Sequence, residues 1–141
     1  MSRVGLFPLV VGLVAAATAA SAQQTPSAVS AWVALPAAGA TWASAFVELK
    51  NPGMYDIYVT SATSDVSASV ELWPAATGSA EPAVTKEITV PAYSSIDAVA
   101  SAPHLRLIGL TKPLAAGDHV ALVLKTDGGE TLKVSATVRT P

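Results

Sequence analysis

The sequence predicts an all-β domain, an antiparallel sandwich or barrel. Apolar and polar residues alternate with a period of two in many short segments, as they do on strands with one buried face. Proline and glycine turns separate these segments, and no stretch after the first residues keeps a helical period. Many short strands joined by such turns are typical of antiparallel sandwiches and barrels. No internal repeat and no long linker divides the domain.

The first 22 residues are predicted to be a signal peptide. Arg3 supplies the early positive charge, residues 4–20 are mostly apolar, and Ala20-Ser21-Ala22 forms an A-x-A cleavage site. The alternative is a membrane anchor, but the apolar run is short for a spanning helix. We therefore expect a bacterial protein exported to the periplasm. Residues 1–22 are its leader and residues 23–141 its single domain, with no membrane association after cleavage.

Composition excludes several classes of function. The chain has 8 Lys and Arg against 10 Asp and Glu, and without Arg3 the mature domain has seven against ten, a net charge of about −3. That balance gives no electrostatic footprint for nucleic acid. The chain has no Cys, so disulfides and thiolate metal ligands are excluded.

The strands are predicted in order from the period-two pattern and the turn residues. Asn51-Pro52-Gly53 is predicted to be a turn, and Asp127-Gly128-Gly129 a hairpin turn. A loop of mostly small residues is expected over 74–83. The predicted strands cover residues 29–33, 41–50, 55–60, 66–73, 84–90, 95–99, 104–110, 120–124 and 132–138.

The segment from Pro103 to Leu114 is the most informative part of the domain. On a strand, Leu105 and Leu107 face one side, and His104 and Arg106 share the other. A histidine beside a second functional side chain is an arrangement that a small β-domain could use for a site.

These segments, taken in order, resemble the periplasmic copper chaperone family PCu(A)C. The resemblance covers nearly the whole mature chain and implies a cupredoxin-like, Greek-key β-sandwich. It also implies copper handling outside the cytoplasm, metallation of cytochrome oxidase, and a periplasmic partner such as an oxidase assembly factor. The matching stretches are Ala31-Trp32-Val33, residues 45–53, Val70-Glu71-Leu72-Trp73, Val90-Pro91-Ala92, residues 104–114 and Gly117-Asp118.

The family's metal ligands are mostly replaced. The family pattern has a His after Val-Glu-Leu, a Met in the next loop, and then His-x-Met. In this chain Trp73 occupies the position of the first His, and the loop Met would fall near Pro82, where no Met is present. His104 matches the second His, and Arg106 occupies the position of the final Met. Trp73, Pro82 and Arg106 are therefore the former-site positions. His104 is the one residual candidate for a metal ligand, and it is otherwise expected to be a hydrogen-bonded strand histidine.

The chemistry of the replacements predicts a vacated site. Cu(I) prefers thioether and imidazole donors, whereas arginine has no acceptor and keeps its positive charge. No bound cofactor is expected, and copper is the one metal that the resemblance leaves open. Arg106 is predicted to lie within about 6 Å of the Trp73 ring, where a cation–π contact would form.

Several other residues have a functional and a structural interpretation. Met54 is a soft donor if it lies near His104, and otherwise a surface loop residue. His119 is expected at a solvated strand end, and Trp32 and Trp42 as core or strand-covering aromatic residues.

The leading hypothesis is a non-enzymatic binding module with a largely lost copper site. The alternative is a working copper carrier that uses His104 with unexpected partners. A hydrolase is disfavoured, because no Gly-x-Ser-x-Gly elbow is present and nothing orders a triad.

Overall fold

The computed structural model describes residues 25–75 and 84–141. Its described residues form nine strands and no helix. Within these ranges, accordingly, no helix is long and apolar enough to span a bilayer. The strands are β1 (Ser27–Ala34), β2 (Trp42–Asn51), β3 (Ile57–Ser64), β4 (Ser67–Trp73), β5 (Ile88–Val90), β6 (Ser94–Ile96), β7 (His104–Leu110), β8 (His119–Thr126) and β9 (Thr131–Arg139).

The strands join in the order β4-β7-β2-β1-β9-β8-β3-β5, and β6 pairs with part of β2. The pairings between these described strands are antiparallel except that of β1 with β9, which is parallel. β3 and β4 follow each other in sequence, yet each pairs with a different strand, so the sheet folds over on itself. The predicted all-β sandwich is therefore confirmed, with one parallel pair that the antiparallel prediction did not include.

The core lies between the two halves of the folded sheet. It is built by the alternation of apolar and polar residues along the strands. On β7, Leu105 and Leu107 are fully buried, and on β8 the same holds for Val120, Leu122 and Leu124. The intervening residues of β7 are His104, Arg106 and Ile108, which lie on the outer face of the sheet. The core therefore fixes which side chains β7 presents outward.

Asn51 ends β2 inside the protein rather than in an exposed turn. Its side chain is 1% exposed. The amide Nδ2 donates to the carbonyl oxygens of Tyr55, Val90 and Pro91 at 2.8, 3.0 and 3.2 Å. Its Oδ1 accepts from the Gly53 N–H at 3.1 Å. A residue predicted as part of a simple turn thus ties two loops together.

Gly109 makes a bulge near the end of β7. The N–H groups of Gly109 and Leu110 both donate to the Thr41 carbonyl at 3.0 Å, so two residues of β7 oppose Thr41, the residue just before β2. Gly109 has φ +72°, and a Cβ there would lie 3.1 Å from the Ala68 Cβ. The positive φ and the close approach of Ala68 both favour glycine, and the bulge lies directly beyond the outward-facing residues of β7.

Candidate functional site

β7 lies between β4 and β2, which brings three outer faces together. Arg106 pairs with Glu71 of β4 and with Ser44 of β2, while His104 pairs with Trp73. Trp42 and Trp73 are each two residues from a partner of Arg106, so they are its diagonal neighbours on the same face.

Arg106 is stacked between two tryptophans. Its guanidinium carbon lies 3.8 Å from the ring centroid of Trp73 and 4.1 Å from that of Trp42. The predicted contact with Trp73 is therefore present, well within 6 Å. The contact with Trp42 was missed, because nothing in the local pattern shows that β2 and β7 are neighbours. We call these three residues the Trp–Arg–Trp stack.

The guanidinium of Arg106 has no acidic partner among the described residues. The ion pair in the described part of the chain lies elsewhere, between Lys50 and Glu48 at 4.0 Å. Glu71, which pairs with Arg106 across the strands, instead accepts a hydrogen bond from Trp73 Nε1 at 3.1 Å. Arg106 Nε is buried without a hydrogen-bond partner, which leaves one donor of the stack unsatisfied.

His104 is held between aromatic rings with a fixed tautomer. Its Nδ1 lies 3.0 Å from the Ala102 carbonyl oxygen, which can only accept, so Nδ1 carries the proton. In the neutral ring the lone pair is then on Nε2. The ring stacks on Trp73 with centroids 6.4 Å apart and contacts Phe46 at 5.2 Å.

Aromatic contacts continue from Phe46 across β2 and β1. The Phe46 and Trp32 rings lie 4.6 Å apart, and Trp32 Nε1 donates to the Ala98 carbonyl at 2.8 Å. Arg139 of β9 lies 4.3 Å above the Trp32 ring. The outer face thus carries one continuous row, which we call the aromatic band. It comprises Trp42, Arg106, Trp73, His104, Phe46, Trp32 and Arg139.

Met54 lies far from His104. Leu105, next to His104, pairs with Ala45, and β2 continues for six more residues before the turn that holds Met54. At about 3.3 Å per residue, the two side chains are separated by about 20 Å. Met54 is 61% exposed and lines a surface hollow with Tyr55 and Glu130, so its interpretation as a surface loop residue is the one that fits.

The remaining predicted positions are either exposed or outside the described residues. His119 is exposed at the first position of β8, as predicted. Pro82 and the predicted signal peptide lie outside the described ranges. Trp32 and Trp42 cover the outer face of the strands, in agreement with the second of their two predicted roles.

The described donor groups do not match those that Cu(I) prefers. Within residues 25–75 and 84–141, no group of three or more His, Cys, Asp or Glu side chains could hold a metal ion. His104 offers one imidazole, and its strand neighbour on the same face is a permanent cation. Soft thioether or further imidazole donors, which Cu(I) favours, are not beside it in this part of the chain.

Comparison with known proteins places the chain in a family. A family model described as "Putative lipoprotein LpqE-like" matches residues 27–138. The chain belongs to the LpqE-like family. A curated relative from Leifsonia xyli subsp. xyli (strain CTCB07), "Putative lipoprotein Lxx21020", is 31% identical over 112 residues. That match covers 77% of this chain and 66% of the relative, so it leaves part of the relative unmatched. Both descriptions use the word lipoprotein, a class of exported protein.

Solved PCuAC domains share the fold of this LpqE-like chain. The solution structure of CuI-DR1885 from Deinococcus radiodurans superimposes with a TM-score of 0.71 and 30% identity, covering 89% of this chain and 86% of that one. The copper-bound PCuAC domain from PmoF2 gives 0.67 at 20% identity, covering 79% and 89%. The apo PCuAC domain from PmoF1 gives 0.67 at 19%, covering 79% and 90%. The predicted cupredoxin-like fold is confirmed.

Proposed function

We propose that this LpqE-like domain is an exported, non-enzymatic binding module whose aromatic band has replaced the copper site of its PCuAC relatives. The single observation that carries the proposal is the position of Arg106, which is stacked between Trp42 and Trp73 at 4.1 and 3.8 Å. A guanidinium held there sets a fixed positive charge beside His104, the one matching ligand.

The stack is a stable arrangement rather than a side chain that could swing away. Arg106 contacts two indole rings, and each such contact contributes about 0.5–2 kcal/mol. Moving the cation away from His104 would lose both contacts. An incoming Cu(I) ion would therefore meet an electrostatic barrier that the protein does not readily remove.

The geometry gives no support to an enzyme. His104 Nδ1 is bonded to a backbone carbonyl and not to a carboxylate, so the orienting acid of a triad is lacking at this histidine. The second histidine of the described residues, His119, is exposed at the start of β8 and is not on the same strand as His104. Trp73 and Arg106, which the resemblance to PCu(A)C aligns with metal ligands, form stacking and hydrogen-bonding contacts instead, and these contacts support the proposal.

The alternative function is a copper carrier that uses His104 together with donors from a partner protein. One observation favours it: the Ala102 carbonyl fixes the proton on Nδ1 and leaves Nε2 with its lone pair. In that case a tight site would depend on His104 and would exist despite Arg106.

A Cu(I) titration of the exported protein against a chromophoric chelator tests both proposals. We expect no stoichiometric site in the wild type and no change in His104→Ala. The double variant Trp73→His/Arg106→Met restores an imidazole and a thioether beside His104, and we expect it to compete for Cu(I) with the chelator. Arg139→Met, which removes a stacked arginine elsewhere in the band, is the matched control and should behave as the wild type. A stoichiometric, His104-dependent site in the wild type would establish the carrier instead.

A further inference from the structure

An apolar groove adjoins the Trp–Arg–Trp stack on the β2 side. It has a volume of about 430 Å³ and is lined by residues 34–37 and 40, at the end of β1 and in the loop after it, and by Trp42, Ala43 and Ser44. Its lining is mostly alanine, leucine, proline and indole carbon. The volume falls within the range of small-ligand sites, about 300–1,000 Å³.

Ser44 and Trp42 belong to both the groove and the surroundings of Arg106. Ser44 pairs with Arg106 across β2 and β7, and Trp42 stacks on the guanidinium while it lines the groove. The groove therefore opens beside a fixed positive charge. A ligand that fills the groove would bring its polar end to Arg106.

The guanidinium is arranged to receive a planar anion. Indole rings lie 4.1 and 3.8 Å from its guanidinium carbon, and a guanidinium presents its N–H donors at the edge of its plane. Carboxylates bind guanidinium groups in that plane, often with two parallel hydrogen bonds. Within the described residues, Arg106 has no ion-pair partner, and its buried Nε has no hydrogen-bond partner either. Protein hydrogen bonding therefore does not account for an arginine at this position.

We propose that the groove and Arg106 together bind a small monocarboxylate with an apolar tail. The carboxylate lies against the outward edge of Arg106, and the tail lies along the groove past Trp42. This inference rests on the proposed function, since it names the ligand class of the same face.

One feature of the charge distribution favours a ligand that carries a negative charge. The acidic residue nearest Arg106 in the strand register, Glu71, lies on β4, the side away from the groove, and it is engaged by Trp73 Nε1.

Calorimetric titration of the protein with octanoate tests the proposal. We expect saturable binding that Arg106→Gln weakens about 10- to 100-fold, the usual loss for one hydrogen bond to a charged group. Lys133→Gln removes an exposed positive charge of β9 away from the groove and should leave the affinity unchanged. Arg106→Lys keeps the charge without the planar fork and should give an intermediate affinity, which also guards against a folding defect in the glutamine variant. Octanol, which lacks the charge, and acetate, which lacks the tail, should each bind at least about tenfold more weakly than octanoate.

Several results would overturn the inference. These are no saturable binding of octanoate, equal binding by Arg106→Gln, or equal binding of octanol. Binding of an apolar peptide with a free carboxyl terminus, without binding of octanoate, would assign the face to a protein partner instead. The copper titration tests the proposed function independently of octanoate. A full equivalent of copper bound through His104 would refute the proposed function, whereas a lack of octanoate binding alone would refute only the proposed ligand class.

Discussion

The coupling between Arg106 and each of its two tryptophans can be predicted from the structure. The Trp73 ring lies 3.8 Å from the guanidinium and is half-buried, whereas the Trp42 ring lies 4.1 Å away and is 44% exposed. Cation–π contacts range from about 0.5–1 kcal/mol at exposed sites to about 2 kcal/mol when desolvated. We therefore expect about 1–2 kcal/mol of coupling with Trp73 and about 0.5–1 kcal/mol with Trp42.

Double-mutant cycles in urea unfolding measure these coupling energies. Each cycle combines Arg106→Met with Trp73→Leu or Trp42→Leu, and it cancels the separate effects of lost packing on the free energy of unfolding. The pair Arg139 and Trp73 is the control, because four strand spacings, about 19 Å, separate β9 from β4. Its coupling should be zero within about 0.5 kcal/mol. If the Trp73 cycle gives no more than this control, the stack does not stabilise the protein and the argument for a fixed cation beside His104 is refuted.

Four further predictions concern stability and export. Asn51→Ala should lower the free energy of unfolding by about 3 kcal/mol, because three carbonyls and one N–H lose their partner; an effect under about 1 kcal/mol would contradict this. Gly109→Ala should destabilise more than Gly129→Ala in urea unfolding, since both have positive φ but only Gly109 has a close neighbour; equal effects would exclude crowding. Leu107→Ala, at a fully buried position, should cost about 2–5 kcal/mol, and a smaller loss would mean that the core closes around the cavity. Mass spectrometry of the exported protein should show Gln23 as the first residue, and an intact residue 1–22 segment would exclude the predicted cleavage.

Most of the strands could be predicted because their signal is local. The alternation of apolar and polar residues gives the bounds of β7 correctly and places β2, β8 and β9 within a residue or two. The strand predicted over 84–90 is shorter, since only Ile88–Val90 pairs as a strand, while Thr85 forms an isolated bridge with Leu72. The parallel pairing of β1 with β9 was not predicted, because the pattern within a strand does not encode the direction of its partner.

The candidate site could be predicted only in part, for the same physical reason. The resemblance to PCu(A)C placed Trp73 and Arg106 at positions that the fold brings together, so their contact was expected and is present. Trp42 joins Arg106 only through the pairing of β2 with β7, which are far apart in sequence. Asn51 resembles an ordinary turn residue in the sequence, and its burial depends on carbonyls from a distant loop.

The three tryptophans of this chain all lie in the aromatic band. The intrinsic indole emission of the whole protein therefore originates on one surface, two of whose fluorophores touch the same guanidinium. We expect a molecule that binds against these indoles to change the quantum yield or the wavelength of this emission without an added dye. The opposite face and the core contribute no indole signal, so an unlabelled sample is already a selective optical sensor for the occupancy of this one face.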